Sequence, residues 1–140
     1  MQGMYEVPIE RGKVREFARA TQSSNVAYEG AHAVIPATFL TTAALAWEPA
    51  EESPYAGLGL DLRRILHGEE EFTFLGELPT AGQVLQVSTR LESEYEKEGK
   101  RGGTMRFVVA LREFRNGDVV VAQQRTTLIE TRQASMEVAS

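Results

Sequence analysis

Two histidines, no cysteine and a run of three glutamates set most of the chemistry that this chain of 140 residues can offer. Without cysteine there is no thiolate nucleophile, no disulfide and no cysteine-ligated metal. His67, beside Gly68 at the start of a strand-like stretch, is the best-placed polar aromatic; its plainer role is to fix the strand start. His32 reads as a surface residue. A metal would need carboxylates to join these rings, but Glu69, Glu70 and Glu71 alternate faces on a strand instead of converging. Neither a metal nor any other cofactor is expected. Two groups of cations suit an anionic partner: Arg63 and Arg64 ahead of His67, and Lys97, Lys100 and Arg101 set among Gly99, Gly102 and Gly103. The second group also reads as a solvated hairpin tip. Thr38, Thr41 and Thr42 could orient a ligand along one segment, although such hydroxyls often bond back to the preceding turn.

The elements that must position these groups follow from the spacing of apolar residues. Gly30 to Trp47 holds no Asp, Glu, Lys or Arg in a chain that is 25% charged, so it is built for burial. Pro36 suits a first helical position, and Phe39, Leu40, Ala43, Ala44 and Trp47 recur at helical spacing. A core helix from Ala37 to Trp47 is predicted, ended by Glu48 and Pro49. It is too short for a membrane span, which needs about 20 mainly apolar residues. An amphipathic helix precedes it over residues 10 to 21, with Val14, Phe17 and Ala18 on one side.

Beyond Leu66 the period changes to two, and four strands are predicted: Leu66 to Leu75, Val84 to Tyr95, Thr104 to Phe114 and Val119 to Glu130. Asn116-Gly117 predicts a tight type I′ hairpin between the last two. Residues 1 to 9 suit a short edge segment, and residues 133 to 140 a frayed end. One helix followed by antiparallel strands with no helix between them is an α+β arrangement, a single domain over residues 1 to 140 in which a sheet wraps a helix, as in the hot-dog fold. An open edge strand invites pairing with a second protomer, so a dimer is expected. The net charge of −5 argues against nucleic acid as a partner, and the lack of a signal-like N-terminus makes the cytoplasm the expected location.

Four segments carry a family resemblance: ARATQSSNVAYEGAHAVIPATF, LDLRRILHGEEEFTF, LPTAGQVLQV and EYEKEGKRGGTMRFVV. Together they resemble the N-terminal domain of MaoC-like dehydratases, and more narrowly the non-catalytic subunit of mycobacterial-type (3R)-hydroxyacyl-ACP dehydratases. Catalytic members carry an Asp-x-Asn-Pro-x-His signature between the first helix and the central one. Its Asp and His hold the water exchanged at C3 of an acyl thioester and move the C2 proton. This chain has Ser23 in place of the Asp, retains Asn25, and has Tyr28 in place of the His. Neither Ser23 nor Tyr28 titrates near neutral pH.

The resemblance therefore implies a subunit with no catalytic residues of its own, which shapes a channel for an acyl-ACP or acyl-CoA beside a catalytic hot-dog partner, or beside its own copy. Tyr28, Pro36, Thr38, Phe39, His67 and Gly68 are the expected substrate contacts. Arg63, Arg64, Lys97, Lys100 and Arg101 are the expected carrier contacts. A hot-dog acyl-CoA thioesterase is one alternative, opposed by the lack of an acid between Pro36 and Trp47. A non-enzymatic acyl-binding or assembly homodimer is the other.

Overall fold

The computed structural model describes residues 3 to 132. The expectation of a frayed end over residues 133 to 140 lies outside them. Its order is β1 (Gly3–Pro8), α1 (Arg11–Ala20), α2 (Thr41–Ala46), β2 (Ile65–Phe74), β3 (Val84–Glu98), β4 (Thr104–Asn116) and β5 (Val119–Glu130). The strands form one antiparallel five-stranded sheet in the order β1-β3-β4-β5-β2, the hot-dog arrangement expected from the sequence. β1 and β2 are its two edges.

Helix α1 buries Val14 and Ala18, with Phe17 packed against the same cluster. It stops at Thr21, whose hydroxyl bonds back to the carbonyls of Phe17 and Ala18, and Gln22 follows in the left-handed region at φ 60°.

The charge-free segment is buried only in part, and its regular helix is shorter than the predicted 37 to 47. Residues 36 to 43 wind through i to i+3 bonds, with the N–H groups of Phe39, Thr42 and Ala43 donating to the carbonyls of Pro36, Phe39 and Leu40. The Thr42 hydroxyl adds a bond to the Phe39 carbonyl at 2.8 Å, one more local bond in this tight winding. Ala33, Ile35, Phe39, Leu40 and Ala43 are buried, but Leu45 is 82% exposed and Trp47 is 39% exposed. Trp47 leaves the core face because its backbone is no longer helical, at φ −123° and ψ −25°.

The helix side of the sheet supplies Val7, Leu85, Val87, Phe114 and Ala122 to this core. Phe17 meets Phe39 edge to face at 5.5 Å. Along β4 both faces are buried from Val108 to Arg112, so simple alternation fails there. At the β4–β5 hairpin Asn116 pairs with Val119, which makes Gly117 and Asp118 the central residues. Gly117 has φ 62° and Asp118 is not in the positive-φ region, so the turn is of the II′ kind and not the predicted I′. No helix of the described residues is long and apolar enough to cross a membrane.

Candidate functional site

The helix-facing surface of the sheet is apolar at one end and polar in its middle. Arg112 on β4 stands beside Thr89 on β3 and Gln124 on β5, and Phe72 and Glu70 follow on β2. Glu48, just past α2, descends onto this strip and accepts from Arg112 at 2.7 and 2.9 Å. The Tyr5 hydroxyl donates to the same carboxylate at 3.0 Å, and the Arg112 guanidinium lies 5.8 Å from the centre of the Tyr55 ring. The side chains of Arg112 and Glu48 are only 4% and 6% exposed.

Burial works against the charge on Arg112, but the hydrogen bonds and charge of Glu48 outweigh it and raise its pKa further. Burial, then the neighbouring Glu48 charge, drives Tyr5 above its ordinary value. Burial does the same to Tyr55, with Arg112 opposing. Both phenols are therefore neutral hydrogen-bonding groups at pH 7.

The strip continues to the β2 edge. Glu70 accepts from the Gln124 amide and from the Thr126 hydroxyl, and its second oxygen lies 2.7 Å from Nε2 of His67. A bulge between His67 and Glu69 puts His67 and Glu70 on one face despite their odd spacing. Gly68 is the bulge residue, and a Cβ there would meet the Ile129 side chain at 2.8 Å. Close packing thus accounts for this glycine. Among the described residues, two buried atoms of the strip have no partner, the Tyr55 hydroxyl and Oε1 of Gln124. Since the Glu70 carboxylate can only accept when ionised, the Gln124 NH₂ must face it and Oε1 must face away.

The segment expected to hold an acid and a base is occupied by capping interactions. Oδ1 of Asn25 accepts from the Ala27 N–H at 3.0 Å, and Oγ of Ser23 accepts from the Asn25 N–H at 3.4 Å. Tyr28 is half-buried against the core cluster that contains Phe39. Phe39 itself is 2% exposed and its N–H is spent on Pro36, so this residue offers neither surface nor donor to a ligand. Pro36 is buried, while Thr38 is exposed.

The expected carrier contacts divide as well. Arg63 makes a two-pronged bond to Asp61 at 2.9 and 3.1 Å, which holds the Asp61 carboxyl down at about 2. Arg64 reaches Asp61, Glu130 and the carbonyls of Thr131 and Arg132. Arg64 thus clamps the approach to β2 onto the end of β5. Lys97 lies 5.5 Å from the Tyr95 ring centre and 5.2 Å from that of Phe107. Lys100 and Arg101 are exposed at the hairpin tip, where Gly102 and Gly103 take φ values of 81° and 82°.

Among the described residues no group of three or more His, Asp or Glu could hold a metal ion. Sequence reasoning missed Glu48, Tyr55, Arg112 and Gln124 as one cluster. The available signal was Arg112 between Ala110 and Phe114, a charge within the apolar middle of a strand face.

This fold is the hot-dog fold. The chain belongs to the FAS1-like, dehydratase domain region family, which matches residues 2–134. The UPF0336 protein SCO4636 of Streptomyces coelicolor is 34% identical over 95 residues, 61% of each chain. The matched region is thus less than two thirds of that relative's length. Among solved structures, the HadBC (3R-hydroxyacyl-ACP dehydratase) complex of Mycobacterium tuberculosis superposes with a TM-score of 0.74 at 23% identity, covering 92% of this chain and 94% of that one. The ChsH1–ChsH2 complex of the same organism gives 0.76 at 14% identity, over 98% and 86%. The MaoC-like dehydratase likeness read from the sequence therefore holds for the family and the fold.

Proposed function

We propose that this chain is a non-catalytic subunit of a (3R)-hydroxyacyl thioester dehydratase or enoyl hydratase, working beside a hot-dog partner that carries the acid and base. The observation that carries this reading is the segment from Ser23 to Tyr28. It has no group that titrates near neutral pH, and its Ser23 and Asn25 oxygens are spent on backbone N–H groups. Water addition to an enoyl thioester needs a positioned base and acid within hydrogen-bond reach of the reacting atoms. A partner can supply both.

The relatives support that arrangement, since HadBC and ChsH1–ChsH2 are complexes. The outer edge of β2 pairs with no other described strand and remains open to a second protein. The acyl group would run along the surface near Tyr28, Pro36 and Thr38, with His67 and Gly68 at the β2 edge. The thioesterase alternative gains nothing from Glu48, the acid nearest α2. Its oxygens are taken by Arg112 and Tyr5, which leaves it unsuited to activating water.

The test is to assay hydration of a trans-2-enoyl thioester by this chain alone and together with a hot-dog subunit that carries the Asp and His signature. Turnover by the mixture only is expected. Full activity of the isolated chain would sink the proposal, release of free thiol would favour the thioesterase, and no turnover in either preparation would favour the acyl-binding homodimer.

A further inference from the structure

Ion pairs divide the cations of this chain into spent and free. The Arg63, Arg64, Arg106, Arg112, Arg115 and Arg125 guanidiniums all bond carboxylates of the same chain. Arg11, Arg15 and Arg19 on α1 and Arg90 on β3 are exposed and bond no carboxylate among the described residues. The same holds for Lys97, Lys100 and Arg101 at the β3–β4 hairpin. There a fourth cation joins them from the end of β5. The Arg132 side chain crosses the loop so closely that a Cβ on Gly103 would meet its Cδ at 2.7 Å. Glu98 is the acid of this loop.

The hairpin carries two further features. Gly99 donates to the Gly103 carbonyl at 2.8 Å and Gly102 to the Gly99 carbonyl at 3.1 Å, which closes the loop and leaves the N–H groups of Lys100, Arg101 and Gly103 without a backbone acceptor. Tyr95 and Phe107 are cross-strand partners on the sheet face turned away from α2, with rings stacked at 5.0 Å and 7°. Tyr95 is 40% exposed, and Nζ of Lys97 lies 5.5 Å from its ring centre. The ring of α1, Phe17, is instead turned into the core against Phe39.

We infer that the β3–β4 hairpin is a binding site for a purine nucleotide, with the base on the Tyr95 ring and the phosphates among Lys97, Lys100, Arg101, Arg132 and the free N–H groups of the loop. A cluster of cations by itself suits any anion. The exposed ring stack beside it selects an anion that also carries an aromatic face. Lys97 follows Tyr95 by two residues on the same face, about 7 Å along the strand, which is the separation between the base and the phosphate of a nucleotide. Backbone N–H groups and cations together supply the donors that phosphate oxygens need. Free ADP and the 3′-phospho-ADP end of coenzyme A present the same chemistry, and the test separates these sources.

The test is titration calorimetry on the full chain with ADP, coenzyme A and pyrophosphate as probes. ADP or coenzyme A should bind at least about tenfold more tightly than pyrophosphate, and more weakly at high salt. Lys100→Glu with Arg101→Glu, with folding checked by circular dichroism, should weaken nucleotide binding about tenfold. Tyr95→Leu should weaken nucleotide binding by a similar factor and leave pyrophosphate binding as it was. Arg11→Glu with Arg15→Glu should bind as the wild type does. Equal affinity for ADP and coenzyme A would support a site for free nucleotide, and tighter binding of coenzyme A would support one for its 3′-phosphorylated end. Pyrophosphate bound as tightly as ADP would overturn the inference and reduce the hairpin to a plain anion patch. Undiminished nucleotide binding by the hairpin double variant, or no binding of either nucleotide at millimolar concentration, would also overturn it. No hydration assay enters these measurements, so the dehydratase reading stands or falls separately.

Discussion

The two ends of the helix-facing side of the sheet use opposite means to close the same interior. Under residues 33 to 43 the sheet offers Leu85, Val87, Phe114 and Ala122, and burial of apolar area holds the helix down. Under residues 48 to 55 it offers Thr89, Arg112 and Gln124, and the covering segment answers with Glu48, the Glu52 carbonyl and Tyr55. The apolar end tolerates any well-packed hydrophobe of the right volume. The Arg112–Glu48 pair of the polar strip requires both partners, because a buried charge left alone costs more than the pair contributes.

Breaking each end should show this difference. Phe114→Ala leaves a cavity in a site that is 0% exposed and should cost about 3–5 kcal/mol in urea denaturation. Arg112→Met strands the buried Glu48 carboxylate and should cost a similar amount, about 3–5 kcal/mol. Only the second loss should be recoverable. Adding Glu48→Gln to Arg112→Met removes the orphaned charge and should return stability to within about 2 kcal/mol of the wild type. A double variant no better than Arg112→Met would mean that the strip is held by packing and not by charge.

Alkaline pH probes the strip without mutation. Tyr5 and Tyr55 have pKa values raised above 10.0 in the folded chain, chiefly by burial. The folded state therefore retains protons that the unfolded chain sheds, so their contribution is complete below about pH 10 and is lost as pH rises towards the folded values. The denaturation midpoint should begin to fall near pH 10 and keep falling as the pH rises further, and Tyr5→Phe should flatten that fall. The smallest effect belongs to Leu45→Ala, at a position 82% exposed beyond the buried half of α2. It should stay within about 0.5 kcal/mol of the wild type by the same measurement.

Much of the scaffold could be read in the residues. Helix α1 and strands β2 to β5 begin within a few residues of their predicted starts, since a change from helical to two-residue period survives any tertiary context. The ends of α2 could not be read in this way. Composition marked residues 30 to 47 for burial, yet i to i+3 winding and the turned backbone at Trp47 set where burial stops. Of the candidate site, Ser23, Asn25 and Tyr28 were legible as residue types. Its polar strip was not, because Glu48 and Arg112 stand 64 residues apart and nothing local announces their pairing.

Alone, the sequence determined the class of fold, the absence of thiol chemistry and the residue types, Ser23, Asn25 and Tyr28, that stand ahead of the central segment. These depend on residue type and short-range period. The tertiary structure decided which charges are spent and which are free. Arg63 and Arg112 look no different in sequence from Arg11 and Arg15, but an ion pair needs two groups within about 4 Å, and only the folded sheet brings Arg112 that close to a carboxylate.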